Sequence, residues 1–111
     1  MLAHLCAEDF NALLGQVCLF ETPAFAPLAM EIKSVRLKPL AASPFGEPGR
    51  RTPFVVDLLG DPQTRVVDAV GILSVAGPGG HDVLRLDDVW ISRVGAMGRG
   101  SEHAYFQLVF N

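Results

Sequence analysis

The chain has 111 residues, half of them apolar and 19% charged, with a formal net charge of −3. That length holds one domain with a real core and excludes two; the composition excludes a disordered chain, and the mild acidity argues against a sequence-independent grip on nucleic acid, which needs a positive surface. No run approaches the ~18 apolar residues of a membrane helix, Met1–Cys6 lacks a basic start and a long apolar stretch, and two cysteines are too few for a disulfide framework, so the expected setting is the reduced cytoplasm with no membrane or nucleic-acid partner.

"AEDFNALLG" reads as one short helix over 7–14. Phe10, Leu13 and Leu14 are spaced i, i+3, i+4 and share a face. Glu8 and Asp9 fall in the first turn, where the helix dipole favours negative charge. Gly15 is placed to end the helix as its C′ residue. After Gly15 the period changes to two. "QVCLFE" (16–21) is a first strand, and the prolines of "TPAFAP" turn the chain because they cannot feed a central ladder.

"LAMEIKSVRLKPL" is a longer strand in which Leu28, Met30 and Ile32 alternate with Ala29, Glu31 and Lys33. Val35 and Leu37 then carry the apolar phase shifted by one, and a β-bulge near Lys33–Ser34 absorbs the slip. "AASPFGEPGRRT" is a loop, long for a compact domain. "PFVVDLLG" is a third strand, "DPQTR" a turn, and "VVDAVGILSV" a fourth strand whose Gly71 suggests a bend or a close backbone approach. After "AGPGGH", the stretch "DVLRLDDVWISRVG" carries Leu84 and Leu86 in one phase and Val89, Ile91 and Arg93 in the other. The slip at Asp87–Asp88 is a bulge or a tight turn. The bulge is preferred because the turn would want a glycine. "AMGRGSE" is a glycine-rich loop, and "HAYFQLVFN" is a last strand with one wholly apolar face.

The sum is an all-β domain of about six strands, as a β-barrel or two packed antiparallel sheets, with one short N-terminal α-helix. Closure manages the exposed edges that six strands would otherwise carry. If the strands run as an antiparallel meander, loops 22–27, 61–65 and 95–102 lie at one end. Loops 39–52 and 76–81 then lie at the other, collecting Arg50, Arg51 and His81.

Chemistry is thinly marked. Arg50 and Arg51 suit a carboxylate or phosphate, because the guanidinium fork is planar and always charged. The competing view is solvated loop charge beside Glu47. "AGPGGH" and "GAMGRG" lack the following helix that a phosphate-cradling loop needs, so their glycines supply turns. His4, His81 and His103 are not spaced as metal ligands with each other or with Cys6 and Cys18; no metal or cofactor is expected. Cys6 and Cys18 sit in apolar surroundings without a neighbouring cation, unlike an activated thiolate. Ser101, Glu102 and His103 are adjacent in sequence, which rarely gives triad geometry. Asp87 and Asp88, as strand neighbours, point to opposite faces unless the bulge realigns them. No catalytic residue is assigned. Trp90 is out of phase with Val89 and Ile91; it faces outward as an interface residue if those two face inward, or lies under the helix if both faces are covered.

Three stretches, "FNALLG", "PFVVDLLG" and "FQLVFN", in that order and spacing, resemble bacterial domain-of-unknown-function family 6916. The resemblance spans nearly the whole chain through apolar and glycine positions. The chain departs from the family in its 39–52 loop and at Phe106, where the pattern has Tyr. The resemblance implies a short, mostly β protein ending on aromatic-x-x-x-F-N. The family's association with phage-tail-collar-like genes implies a structural or assembly role. Two functions are therefore carried forward. The first is a non-catalytic module that binds a protein partner or forms a homo-oligomer, with Trp90 at its interface. The second is a small-ligand binder or enzyme for an anionic ligand at Arg50, Arg51 and His81.

Overall fold

Successive residues of a strand point to opposite faces, and folding turns that period of two into an inside and an outside. The computed structural model describes residues 5–38 and 53–110. The elements are α1 (Ala7–Asn11), β1 (Val17–Glu21), β2 (Leu28–Leu37), β3 (Phe54–Gly60), β4 (Asp68–Ala76), β5 (Asp82–Val94) and β6 (Ala104–Phe110). A 3-10 turn at Pro78–Gly80 precedes β5. The six strands close into one barrel in the order β1-β2-β3-β6-β5-β4, each neighbouring pair antiparallel. The fold is thus the barrel, not two separate sheets.

The strand order is not a meander. β3 lies against β6, and the 61–67 segment carries the chain across the barrel end to β4, which pairs with β1 and β5. The expected sorting of loops survives the crossover for the described segments, loop 39–52 lying outside them, and for a simple reason. With every pairing antiparallel, strand direction alternates along the chain as well as around the barrel. Segments 22–27, 61–67 and 95–103 lie at one end, here the upper; 77–81 lies at the lower end, and so does α1.

Both slips of phase are bulges. On β2, the register passes from Ile32↔Leu58 to Ser34↔Asp57, leaving Lys33 as the extra residue. On β5, Leu86 faces Leu73 and Val89 faces Gly71, three steps against two. Asp88 takes the extra step with φ 56, a left-handed conformation that Asp tolerates better than most residues. Leu86 and Val89 are both buried as a result, and 82–94 is one strand instead of a hairpin.

The helix is shorter than its apolar spacing predicts. Asp9 Oδ2 accepts from the Cys6 backbone N–H at 2.9 Å, securing the first turn. The last turn tightens already at Leu13, whose N–H donates to Phe10 O at 2.9 Å. Gly15, with φ 83, does not cap the helix; its N–H donates to Ile32 O on β2 at 2.8 Å. Phe10 is fully buried, its ring 6.1 Å from Phe54 and 5.6 Å from Phe110, which stack on each other at 4.9 Å. This cluster plugs the lower end, and Leu14 is left 46% exposed.

The upper end is closed differently. Val66 of the crossover is buried. Arg93 is in phase with the buried Val89 and Ile91. Its Nη1 donates to Thr64 O at 2.8 Å and Val66 O at 3.3 Å, and its guanidinium carbon lies 5.8 Å from the Phe106 ring centroid. Val66 belongs to this lid, which is why β4 begins two residues later than the run "VVDAVG" predicts. At Gly71 the close approach is real: an added Cβ would collide with the Glu21 carbonyl oxygen and the Phe20 ring.

Candidate functional site

Arg50 and Arg51 lie outside the described residues. His81 is exposed at the lower end, its carbonyl accepting from the Gly77 N–H at 2.8 Å. Among the described residues, two open hollows lie toward the opposite end. One, of about 730 Å³, is lined by Arg93, Ser101, His103 and Tyr105 among others. The other, of about 310 Å³, is lined by Glu21, Phe25, Pro27 and Ile72 among others.

Of the polar residues lining the larger hollow, Arg93 is engaged with the crossover and Tyr105 with the 95–103 loop, whose Arg99 lies outside the lining. Arg99 donates from Nε to Ala96 O at 2.8 Å and from Nη2 to Gly95 O at 3.1 Å. Its guanidinium carbon lies 3.9 Å from the Tyr105 ring centroid, a cation–π geometry. The Tyr105 hydroxyl donates to Arg99 O at 3.2 Å. Ser101, Glu102 and His103 are all exposed.

Other chemistry-bearing residues are placed as follows. Both cysteines are free. Burial pushes the Cys18 thiol up to about 12, so it stays protonated as a small apolar side chain. Hydrogen bonding to the Glu8 carboxylate, then to Asp9, raises the Cys6 thiol as well. Asp87 and Asp88 are exposed on the bulge, Asp87 Oδ1 lying 3.5 Å from Arg85 Nε. Among the described residues no cluster of three or more His, Cys, Asp or Glu could hold a metal ion. The best-ordered charge pair is on the outer wall. Arg36 donates to Asp57 through Nε at 2.7 Å and Nη2 at 2.9 Å, and Ser34 Oγ donates to Asp57 Oδ2 at 2.8 Å. Burial alone would raise the Asp57 carboxyl, but the hydrogen bonds from Arg36 and Ser34, then the charges of Arg36 and Arg99, bring it below its ordinary value. This is a fork clamping β2 to β3 across the bulge, and no hollow described above opens onto it.

What stands out is apolar. Trp90 faces outward, 59% exposed, while Val89 and Ile91 are buried. Its partner across the ladder is Val70, 44% exposed. Two residues further on the same face of β4 is Ile72, which lines the smaller hollow with Phe25 and Pro27. Thr22 Oγ1 donates to Val70 O at 3.1 Å, holding the 22–27 loop against this band. Leu19, on the outer face of β1, is exposed beside it. The band therefore runs from Trp90 across β4 to the β1–β2 loop. Its rim is acidic: Glu21 is the cross-strand partner of Ile72, Asp68 precedes Val70 by two, and Asp87–Asp88 precede Trp90.

The phase of Val89 and Ile91 offered an outward Trp90 beside the alternative of a Trp under the helix, and the structure has it outward. Val70 and Ile72 escaped, because "VVDAVGILSV" reads as an evenly apolar strand. The signal that separates its faces is the alternation of Val70 and Ile72 with Leu73 and Val75 in the opposite phase, once Gly71 is allowed its close contact. No family model, no curated protein and no solved structure matches the chain.

Proposed function

We propose that the protein is a non-catalytic β-barrel module that binds a protein partner or assembles with other chains through the outer face of β4 and β5. The observation that carries this reading is the continuous outward band of exposed Trp90, Val70 and Phe25 with half-buried Ile72 between them. Single exposed apolar residues are ordinary, whereas a contiguous patch with a central Trp is what interfaces use. The resemblance to family 6916 supports an assembly role, in a tail-like or surface complex. The engagement of Arg93 and Asp57 in holding the barrel, and of Arg99 in holding its loop, supports a role without chemistry at those groups.

The test is capture from the native host with the folded wild-type protein and with Val70→Lys and Trp90→Ala as baits, alongside light scattering of the pure protein. Partners or self-assembly lost in both variants support the module. A monomer whose captured proteins are the same for all three baits would falsify it. The other reading, an anionic-ligand site at Arg50, Arg51 and His81, rests on sequence, with His81 exposed at the lower end. Arg50→Ala/Arg51→Ala tested by calorimetry against a panel of phosphates and carboxylates decides it; unchanged heats in the variant exclude the site.

A further inference from the structure

β5 is the longest strand, Asp82–Val94, yet it pairs with β6 only at Ser92↔Gln107, Arg93↔Phe106 and Val94↔Tyr105. Among the described residues, Asp82–Ile91 has β4 as its sole strand neighbour. The direction of the backbone at Trp90 follows from two hydrogen bonds. The Arg93 N–H donates to Val67 O on the β4 side at 2.9 Å, and Val70 O turns away from β5 to accept from Thr22 Oγ1. In an antiparallel ladder successive residues point their amide groups to alternate sides. Val70↔Trp90 is therefore a non-hydrogen-bonded pair, and the Trp90 N–H and C=O point away from β4, toward the side where pairing with β6 has ended. Continued in register, Ser92↔Gln107 would set Trp90 opposite Val109, and both are more than half exposed. Among the described residues this strand edge is thus unpaired, and two outward apolar side chains flank it.

We infer that this edge of β5 accepts an extended, basic segment of a partner protein as an added strand along Asp82–Trp90. Strand addition draws affinity from main-chain hydrogen bonds and specificity from alternate side chains. Charge selects the partner. Asp82–Ile91 carries Asp82, Asp87 and Asp88 against Arg85 alone, and Asp68 and Glu21 border the same face. Two copies of this edge would set acidic strand against acidic strand, which destabilises pairing, whereas Lys or Arg on alternate positions of an incoming strand is favoured. The inference rests on the module reading above and adds the mode of binding and the chemistry of the partner.

The experiment uses the full chain and three probes: a nine-residue peptide alternating Lys with Val, its Glu counterpart, and the Lys peptide with a central Pro. Trp90 is the only tryptophan, so its emission reports contact, and its amide exchange reports strand pairing. The Lys peptide is expected to shift the emission to the blue and to slow Trp90 amide exchange about tenfold or more at saturation. The Glu peptide is expected to bind at least about tenfold more weakly, as is the Pro peptide, which cannot complete the ladder. Asp82→Lys/Asp87→Lys, which spares the positive-φ Asp88, should invert the charge preference. An emission change without amide protection would leave the module reading standing and overturn strand addition. Equal binding of the Pro peptide, or a dimer in the absence of peptide that protects the same amide, would overturn it too.

Discussion

Strand β6 has two seams, and they differ sharply. Against β3 it pairs along its whole length, from Phe54↔Phe110 to Gly60↔Ala104. Against β5 it pairs at three positions near the upper end. The first seam carries core on its inner side and is clamped at its lower end by Phe10. The second closes the barrel only under the Arg93 lid. One seam is spent on stability, while the other leaves backbone and a Trp facing outward. The difference teaches that a closed barrel can still offer an edge, wherever one strand outruns its neighbour.

The comparison can be broken most severely by removing β6 beyond Gln107. Leu108 and Phe110 go with it, both buried, and the β3 seam loses its lower half. The truncated chain is expected not to fold, with no cooperative transition by circular dichroism. A soluble, cooperative truncation would sink the claim that this seam holds the barrel. Next in size is Phe10→Ala, expected to cost about 3–5 kcal/mol in urea unfolding, because it empties the aromatic plug. Gly71→Ala should cost about 1–3 kcal/mol by forcing β1 away from β4, since the added methyl meets the Glu21 backbone. An unchanged urea midpoint would mean the strands part freely there.

A smaller effect concerns the fork on the outer wall. Asp57 is 15% exposed and Arg36 48%, so the pair is half-solvated and is worth about 1 kcal/mol or less. Because the Asp57 carboxyl titrates below its unfolded value of about 3.9, its contribution is fully present above that value. It is lost as pH falls through the lower, folded value. Asp57→Asn should therefore reduce stability at neutral pH and flatten the acid limb of the stability–pH curve. An acid limb identical to wild type would show that other carboxylates set it. Smallest for the fold is Trp90→Ala, with a change within about 0.5 kcal/mol, because the ring packs no core. The contrast between the two seams is sharpest if this variant unfolds like wild type yet fails to bind.

Much of the barrel was legible in the residues. Strand positions, the bulges at Lys33 and Asp87–Asp88, and the close approach at Gly71 all follow from local rules: a period of two, a slip of one, a missing side chain. The helix was overread because its spacing counted Leu14 as an anchor with Phe10 and Leu13, whereas Leu13 packs on the core from the turn after the helix and Leu14 stays exposed. Arg93 stood in the inward phase, but nothing local says that carbonyls of a crossover would meet it. Val70 and Ile72 were hidden for the same reason. An apolar strand residue reads alike whether its face is covered or bare, and covering is decided by what lies across the sheet.

By itself, the sequence determined the elements and their inner faces, since side-chain alternation and backbone sterics act over a few residues. Strand order was a tertiary matter. Pairing β3 with β6 and β4 with β1 depends on contacts between residues far apart in the chain, and local preference is the same for a meander. So was the open edge of β5, which exists only because β6 reaches it at one end and leaves it at the other.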